Sequence, residues 1–202
     1  KLFTLILGIT LAYSCSTSSD ENGNSTTTVV PVAPSNLTGT VASSIGTTNG
    51  KLILDKVTIP STTPAMKFEL TGSSLVVTGT TTFTNRNILT TGDLVIDAAP
   101  GATLTISSQV SSSAATASFT KSGAGRVTLP DLGSTNFSGP FTFNSGSVLL
   151  TANTSTGPAP ATLMTNGIVL GNSASILYPN ASTYVVDRNR GIYVSGTAFI
   201  SS

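Results

Sequence analysis

The chain has no histidine, no tryptophan and one cysteine in 202 residues, and only 8% of it is charged. Each shortage closes off some chemistry. Without histidine the commonest general base and metal ligand is missing. A single cysteine, Cys15, admits no disulfide within the chain. Nine basic against eight acidic residues leave a formal net charge of +1, too weak an electrostatic footprint for a polyanion, so nucleic acid is not an expected partner. Soluble domains ordinarily carry about 25% charge. Here hydroxyls and amides must hydrate the surface instead, and Ser, Thr, Asn and Gly supply them. Thr and Val also favour extended backbone, because a branched Cβ fits a pleated surface. The length suits one domain with a continuous core.

Residues 1–15, "KLFTLILGITLAYSC", have a basic start and an apolar run from Leu2 to Ala12. That run is shorter than the roughly 20 residues a membrane-spanning helix needs and fits the apolar region of a secretory signal. Cys15 follows it after the small residue Ser14, an arrangement that resembles the lipobox of bacterial lipoproteins. The resemblance implies cleavage before Cys15 and a lipid on its sulfur, hence a membrane anchor. Leu11 stands four positions before Cys15 where that pattern has three, and Tyr13 is bulky. A plain secretory signal is the alternative. "STSSDENGNSTTTVVPVAPSN" then reads as a polar tether. Asp20 and Glu21 in it loosely resemble an acidic surface-export signal of lipoproteins, or are a solvated pair. The expected organisation is a signal peptide over 1–14, a tether and entry segment over 15–49, and a folded region over 50–202.

Beyond residue 50 the sequence repeats. Small residues open "GKLILD" at 50, "SSLVVT" at 73, "GDLVID" at 92, "GRVTLP" at 125 and "GSVLLT" at 146, in steps of 23, 19, 33 and 21 residues. Each carries an apolar pair two apart: Leu52/Leu54, Leu75/Val77, Leu94/Ile96, Val127/Leu129 and Val148/Leu150. "GATLTI" at 101 adds Leu104/Ile106 inside the long step. Gly167 and Gly191 open weaker copies. Period two puts each pair on one face of a strand. One lap of about 21 residues cannot bury its apolar side chains alone, but laps stacked about 4.8 Å apart hydrogen-bond up and down and form continuous inward columns. The spacing therefore predicts an all-β, single-stranded parallel β-helix of about seven coils, some 35 Å tall, with Val127 and Val148 on neighbouring levels. An antiparallel sandwich shares the threonine richness and frequent turns but does not account for the step near 21.

Residues 121–150 carry a resemblance. Lys121, Gly123, Gly125, Val127 and Leu129, then the turn Asn136, Phe137, Ser138 and Gly139, then Phe141, Phe143, Gly146, Val148 and Leu150 resemble the autotransporter-associated β-strand repeat of bacterial surface proteins. Flanking "APGATLTIS", "NGIVLGNSASI" and "RNRGIYVSG" extend it over roughly residues 92 to 200. Phe137 replaces a usual Tyr, and Pro130 and Asp131 replace a usual Ser-Gly. The resemblance implies a β-helical passenger at the cell surface. The strand-like end "GTAFISS" has no polar cap, residue 1 is not Met, and no membrane barrel of the usual kind follows. The expectation is a piece of a longer protein, or a lipid on Cys15 in place of a barrel.

No residue set demands catalysis. Asp20 and Glu21 fall in the tether, and Asp55, Glu69, Asp93, Asp97, Asp131 and Asp187 are spread along the laps. A glycosidase needs two carboxylates about 5–10 Å apart, whereas Asp93 and Asp97 along one strand stand about 13 Å apart. Ser118 and Lys121 fit a Ser-x-x-Lys pattern and "KSG" its companion, but one lysine cannot serve both. Arg188 and Arg190 share a strand face and read as an exposed pair, with binding of an anionic sugar as the alternative. Phe83, Phe137, Phe141 and Phe143 read as core stacking, with sugar stacking as the alternative. No catalytic residue, metal or cofactor is expected. The expected role is non-catalytic structural display or adhesion at a bacterial surface, lipid-anchored in the outer membrane or else secreted, with surface polysaccharide or a neighbouring cell as partner. The alternative is a polysaccharide-binding or polysaccharide-degrading β-helix.

Overall fold

A computed structural model describes residues 15–16, 28–29, 35–40, 45–48, 50–58, 67–72, 74–83, 87–132, 135–179 and 185–201; the expected signal over 1–14 lies outside them. The described chain is all strand and turn. Two short strands, β1 (Cys15–Ser16) and β2 (Thr28–Val29), pair antiparallel. Then the laps begin, first β3 (Ser35–Thr40) with β4 (Ile45–Thr48) and then β5 (Lys51–Thr58) with β6 (Lys67–Thr71). Two three-strand laps follow: β7 (Ser74–Val77), β8 (Thr81–Phe83) and β9 (Asn87–Thr90), then β10 (Leu94–Ala98), β11 (Thr103–Ile106) and β12 (Val110–Ser112). The remaining laps have two strands each: β13 (Phe119–Ser122) and β14 (Arg126–Leu129), β15 (Phe141–Phe143) and β16 (Gly146–Leu150), β17 (Met164–Leu170) and β18 (Ala174–Leu177), β19 (Arg190–Val194) and β20 (Phe199–Ser201).

All strand pairs apart from β1–β2 are parallel, and they join strands of successive laps. The result is a parallel β-solenoid, with about 6 turns from β7 to β20. One face stacks β5, β7, β10, β13, β15, β17 and β19; the next stacks β8, β11, β14, β16, β18 and β20; a third runs β2, β4, β6, β9, β12. β5 turns the corner between the first two, pairing with β7 through residues 51–54 and with β8 at Thr58. Val127 stacks directly on Val148, as the winding requires.

Alternation builds the core. The strand patterns read half-buried, buried, half-buried, buried, so every second side chain points inward. On the first face Leu52, Leu75, Ile96, Lys121, Phe143, Leu170 and Val194 follow one another in register. Beside them run Leu94, Phe119, Phe141, Ile168 and Ile192. On the second face the column is Thr81, Leu104, Val127, Val148, Ile176 and Ile200. Each apolar rung, fully buried, contributes about 1.5–3 kcal/mol of transfer free energy. In the last described lap Ile192, Val194 and Ile200 are 44%, 48% and 54% exposed.

Contrary to the expectation of one repeated strand, the glycine-opened copies fall on two faces. The strand opened by Gly92 and the strand opened by Gly125 belong to different faces: Leu94 stacks on Phe119, whereas Val127 stacks on Leu104. Glycine followed by alternating apolar residues is what any corner leading into an inward-facing strand requires, so the pattern marks both faces alike. The step of 33 residues is a change of face.

Candidate functional site

The corners fix where side chains with chemistry can go. Gly123 has φ +75° and Gly146 φ +70°, both in the left-handed region. A Cβ on Gly123 would collide with the carbonyl oxygen of Ala98 one lap below. A Cβ on Gly146 would occupy the place taken by the Lys121 Nζ. The Gly-x-Gly after Lys121 is therefore close-approach geometry, with Gly125 likewise against the Ala99 and Ala102 carbonyls.

Lys121 is wholly buried. Its Nζ donates to the carbonyl oxygens of Gly123 (2.5 Å) and Ser145 (2.7 Å), tying its own corner to the next. Burial pushes its pKa down from 10.5 to about 8, opposed by the carboxylate of Asp97. Ser118, half-buried, lies three residues away and so on the opposite side of the chain; its N–H donates to Asp93 Oδ1 at 2.8 Å. Ser118 and Lys121 therefore do not converge as an acylase pair would.

Arg190 corrects a second expectation. It is 3% exposed, not one of an exposed pair, while Arg188 sits exposed in the preceding turn. The Arg190 guanidinium donates to the carbonyls of Gly139 (3.2 Å), Gly167 (3.4 Å) and Pro158 (2.9 Å). It also lies over the Phe141 ring, 5.3 Å from the centroid, a cation–π contact. Phe141 stacks on Phe119 at 5.6 Å, with Phe143 edge-on to both. Phe83, Phe137, Phe141 and Phe143 are all buried, so none offers a ring to a sugar.

The other sequence-selected residues separate cleanly. Leu52, Leu54, Leu75, Val77, Leu94, Ile96, Leu104, Ile106, Val127, Leu129, Phe141, Phe143, Val148 and Leu150 are all buried. The backbone of Cys15 is in β1, and its side chain lies outside the described residues. The described acids do not cluster: Asp93 binds the Ser118 amide, Asp131 accepts from the Thr154 hydroxyl and Asp187 closes a turn onto the Asn189 amide. No group of three metal-ligating side chains occurs among the described residues, nor is any helix there long and apolar enough to cross a membrane.

What remains is the outer surface, where hydroxyls divide into two populations. At corners they bond to carbonyls one lap below: Thr151 Oγ1 donates to Leu129 O (2.9 Å) and Ser145 Oγ to Gly123 O (3.1 Å). On the strands of the second face the outward side chains, hydroxyls among them, form two files. One runs Thr82, Thr105, Thr128, Leu149, Leu177 and Ser201. The other runs Thr103, Arg126, Ser147, Ser175 and Phe199. Arg126 is exposed and Phe199 is 60% exposed. Sequence reasoning missed this face because Arg126 was read only as part of a glycine-opened strand. The alternation that buries Val127 and Leu129 also turns Arg126 and Thr128 outward, and that signal was available.

Comparison of the chain with known protein families, with curated proteins and with solved structures finds no match.

Proposed function

We propose that the chain is a non-catalytic, exported bacterial surface protein, a β-helical element for structural display or adhesion held to the outer membrane through a lipid on Cys15. The observation that carries this reading is the unbroken run of inward columns from Leu52 to Val194 and from Leu104 to Ile200. Stacking of that kind makes a stiff rod whose laps contact only their neighbours, and a rod places its faces away from an anchor. The low charge and the plentiful hydroxyls suit contact with hydrated polysaccharide. The likeness of residues 121–150 to the autotransporter-associated repeat, and of residues 1–15 to a lipoprotein signal, supports the same address. The buried cations favour a scaffold as well, since Lys121 and Arg190 are both engaged on backbone carbonyls inside the stack.

The test uses the full chain in a bacterial host. Feeding a clickable fatty acid should label the protein and leave Cys15→Ala unlabelled, and protease added to intact cells should remove it. Persistent label in Cys15→Ala, or complete protection in unbroken cells whose surface controls are digested, would overturn the anchored-display reading.

A further inference from the structure

We propose that the face built by β11, β14 and β16 binds a linear carboxylated sugar polymer lying along the solenoid axis, with Arg126 receiving a uronate carboxylate. The proposal rests on the surface reading above and adds the ligand class to it. Three features of the face carry it. First, Arg126 is the only charged residue in β8, β11, β14, β16, β18 and β20, and its exposed guanidinium makes no ion pair among the described residues. A single guanidinium on an uncharged sheet complements a ligand with well-separated negative charges along a neutral backbone. A nucleic acid or another dense polyanion would call for several cations. Second, Thr103, Thr105, Thr128 and Ser147 surround Arg126 in register. They are half-buried, and their hydroxyls bond to no protein group among the described residues, unlike those at the corners. Rungs about 4.8 Å apart therefore present a row of free donors and acceptors to a polyol. Third, the Arg126 file ends at the exposed ring of Phe199, three rungs above, an apolar platform for the C–H face of a sugar ring. The planar fork of arginine pairs with a carboxylate through two parallel bonds, so Arg126 sets the register of the polymer and the hydroxyls follow its length.

The experiment is affinity electrophoresis of the full chain through gels containing hyaluronan, in which glucuronate alternates with a neutral amino sugar, with neutral dextran as the companion gel. Hyaluronan should retard the protein and added salt should weaken the effect. Arg126→Gln should bind about tenfold more weakly, the size of one lost charge-assisted contact, and Arg126→Lys should fall between. Ser147→Ala should weaken binding modestly, while Arg188→Gln, which changes an exposed arginine off this face, should bind as the unaltered chain does. These positions are on the outer surface, so the melting temperatures should match. Unchanged binding by Arg126→Gln, an equal loss in Arg188→Gln, or equal retardation by dextran overturns the proposal. Protein that is surface-exposed on cells yet ignores hyaluronan sinks this inference alone. Hyaluronan binding by protein that stays inside cells sinks the display reading alone.

Discussion

At Lys121 a cation occupies a position that Ile96 fills one lap below and Phe143 one lap above. The site tolerates it because Gly146 leaves room for the ammonium and two carbonyls receive it. Its folded pKa, about 8, is below the 10.5 of the unfolded chain. Between those values the unfolded chain binds a proton that the folded chain does not, so the Lys121 contribution to stability rises with pH across that window. Below about 8 both states are protonated and the burial penalty is fully present. Denaturant midpoints measured from pH 7 to 10.5 should therefore climb more steeply for the natural chain than for Lys121→Met; parallel curves would contradict the burial. Gly146→Ala should cost roughly 1–3 kcal/mol from backbone strain alone, with a further loss from displacing the ammonium, read as a fall in the same midpoint. This residue also marks a limit of the sequence. Lys121 is in phase with Phe119, which alternation sends inward, but the expectation that charge faces water hides it. Arg190 was misread for the same reason. In both cases the acceptors are backbone carbonyls, which leave no mark in the side-chain pattern.

Individual strands were legible where alternation was strict, as in "GATLTIS" and "GSVLLT". The face to which each belongs was not, because the same corner-then-strand pattern serves two faces. The third face was also hidden. It is strand through β12, and in later laps turns carrying buried Leu132, Phe137, Ser155 and Thr156 take its place. Arg190 holds that irregular part together by reaching Gly139, Pro158 and Gly167 at once. Arg190→Ala should cost roughly 2–4 kcal/mol from lost charge-assisted bonds and the uncovered Phe141 ring. Hydrogen exchange should show the loss first in 135–167; uniform loosening of every lap would count against a local staple. Within β14 the two sides of one strand should behave oppositely. Leu129→Ala should cost about 2–5 kcal/mol, and Thr128→Ala, outward, should stay within about 0.5 kcal/mol in urea unfolding.

The described strands form a column of laps, and its stability is a sum of lap and interface contributions passed between neighbours. A change in one lap should therefore loosen the laps beside it before those at a distance, which is how Arg190 and Lys121, each bridging laps, limit fraying. Parallel, in-register winding is also what aligns Arg126 with Thr103 and Ser147, so the proposed binding face depends on it. Pulsed electron paramagnetic resonance tests that winding most directly, with spin labels on cysteines placed two at a time in the outward file Thr82, Thr105, Thr128, Leu149 and Leu177 of a Cys15→Ala background. The separation should grow by about 4.8 Å for each lap between the labels, reaching about 19 Å from position 82 to position 177. Distances that fail to increase with lap number, or that pair position 128 with a neighbour running in the opposite direction, would contradict the solenoid and everything built on it.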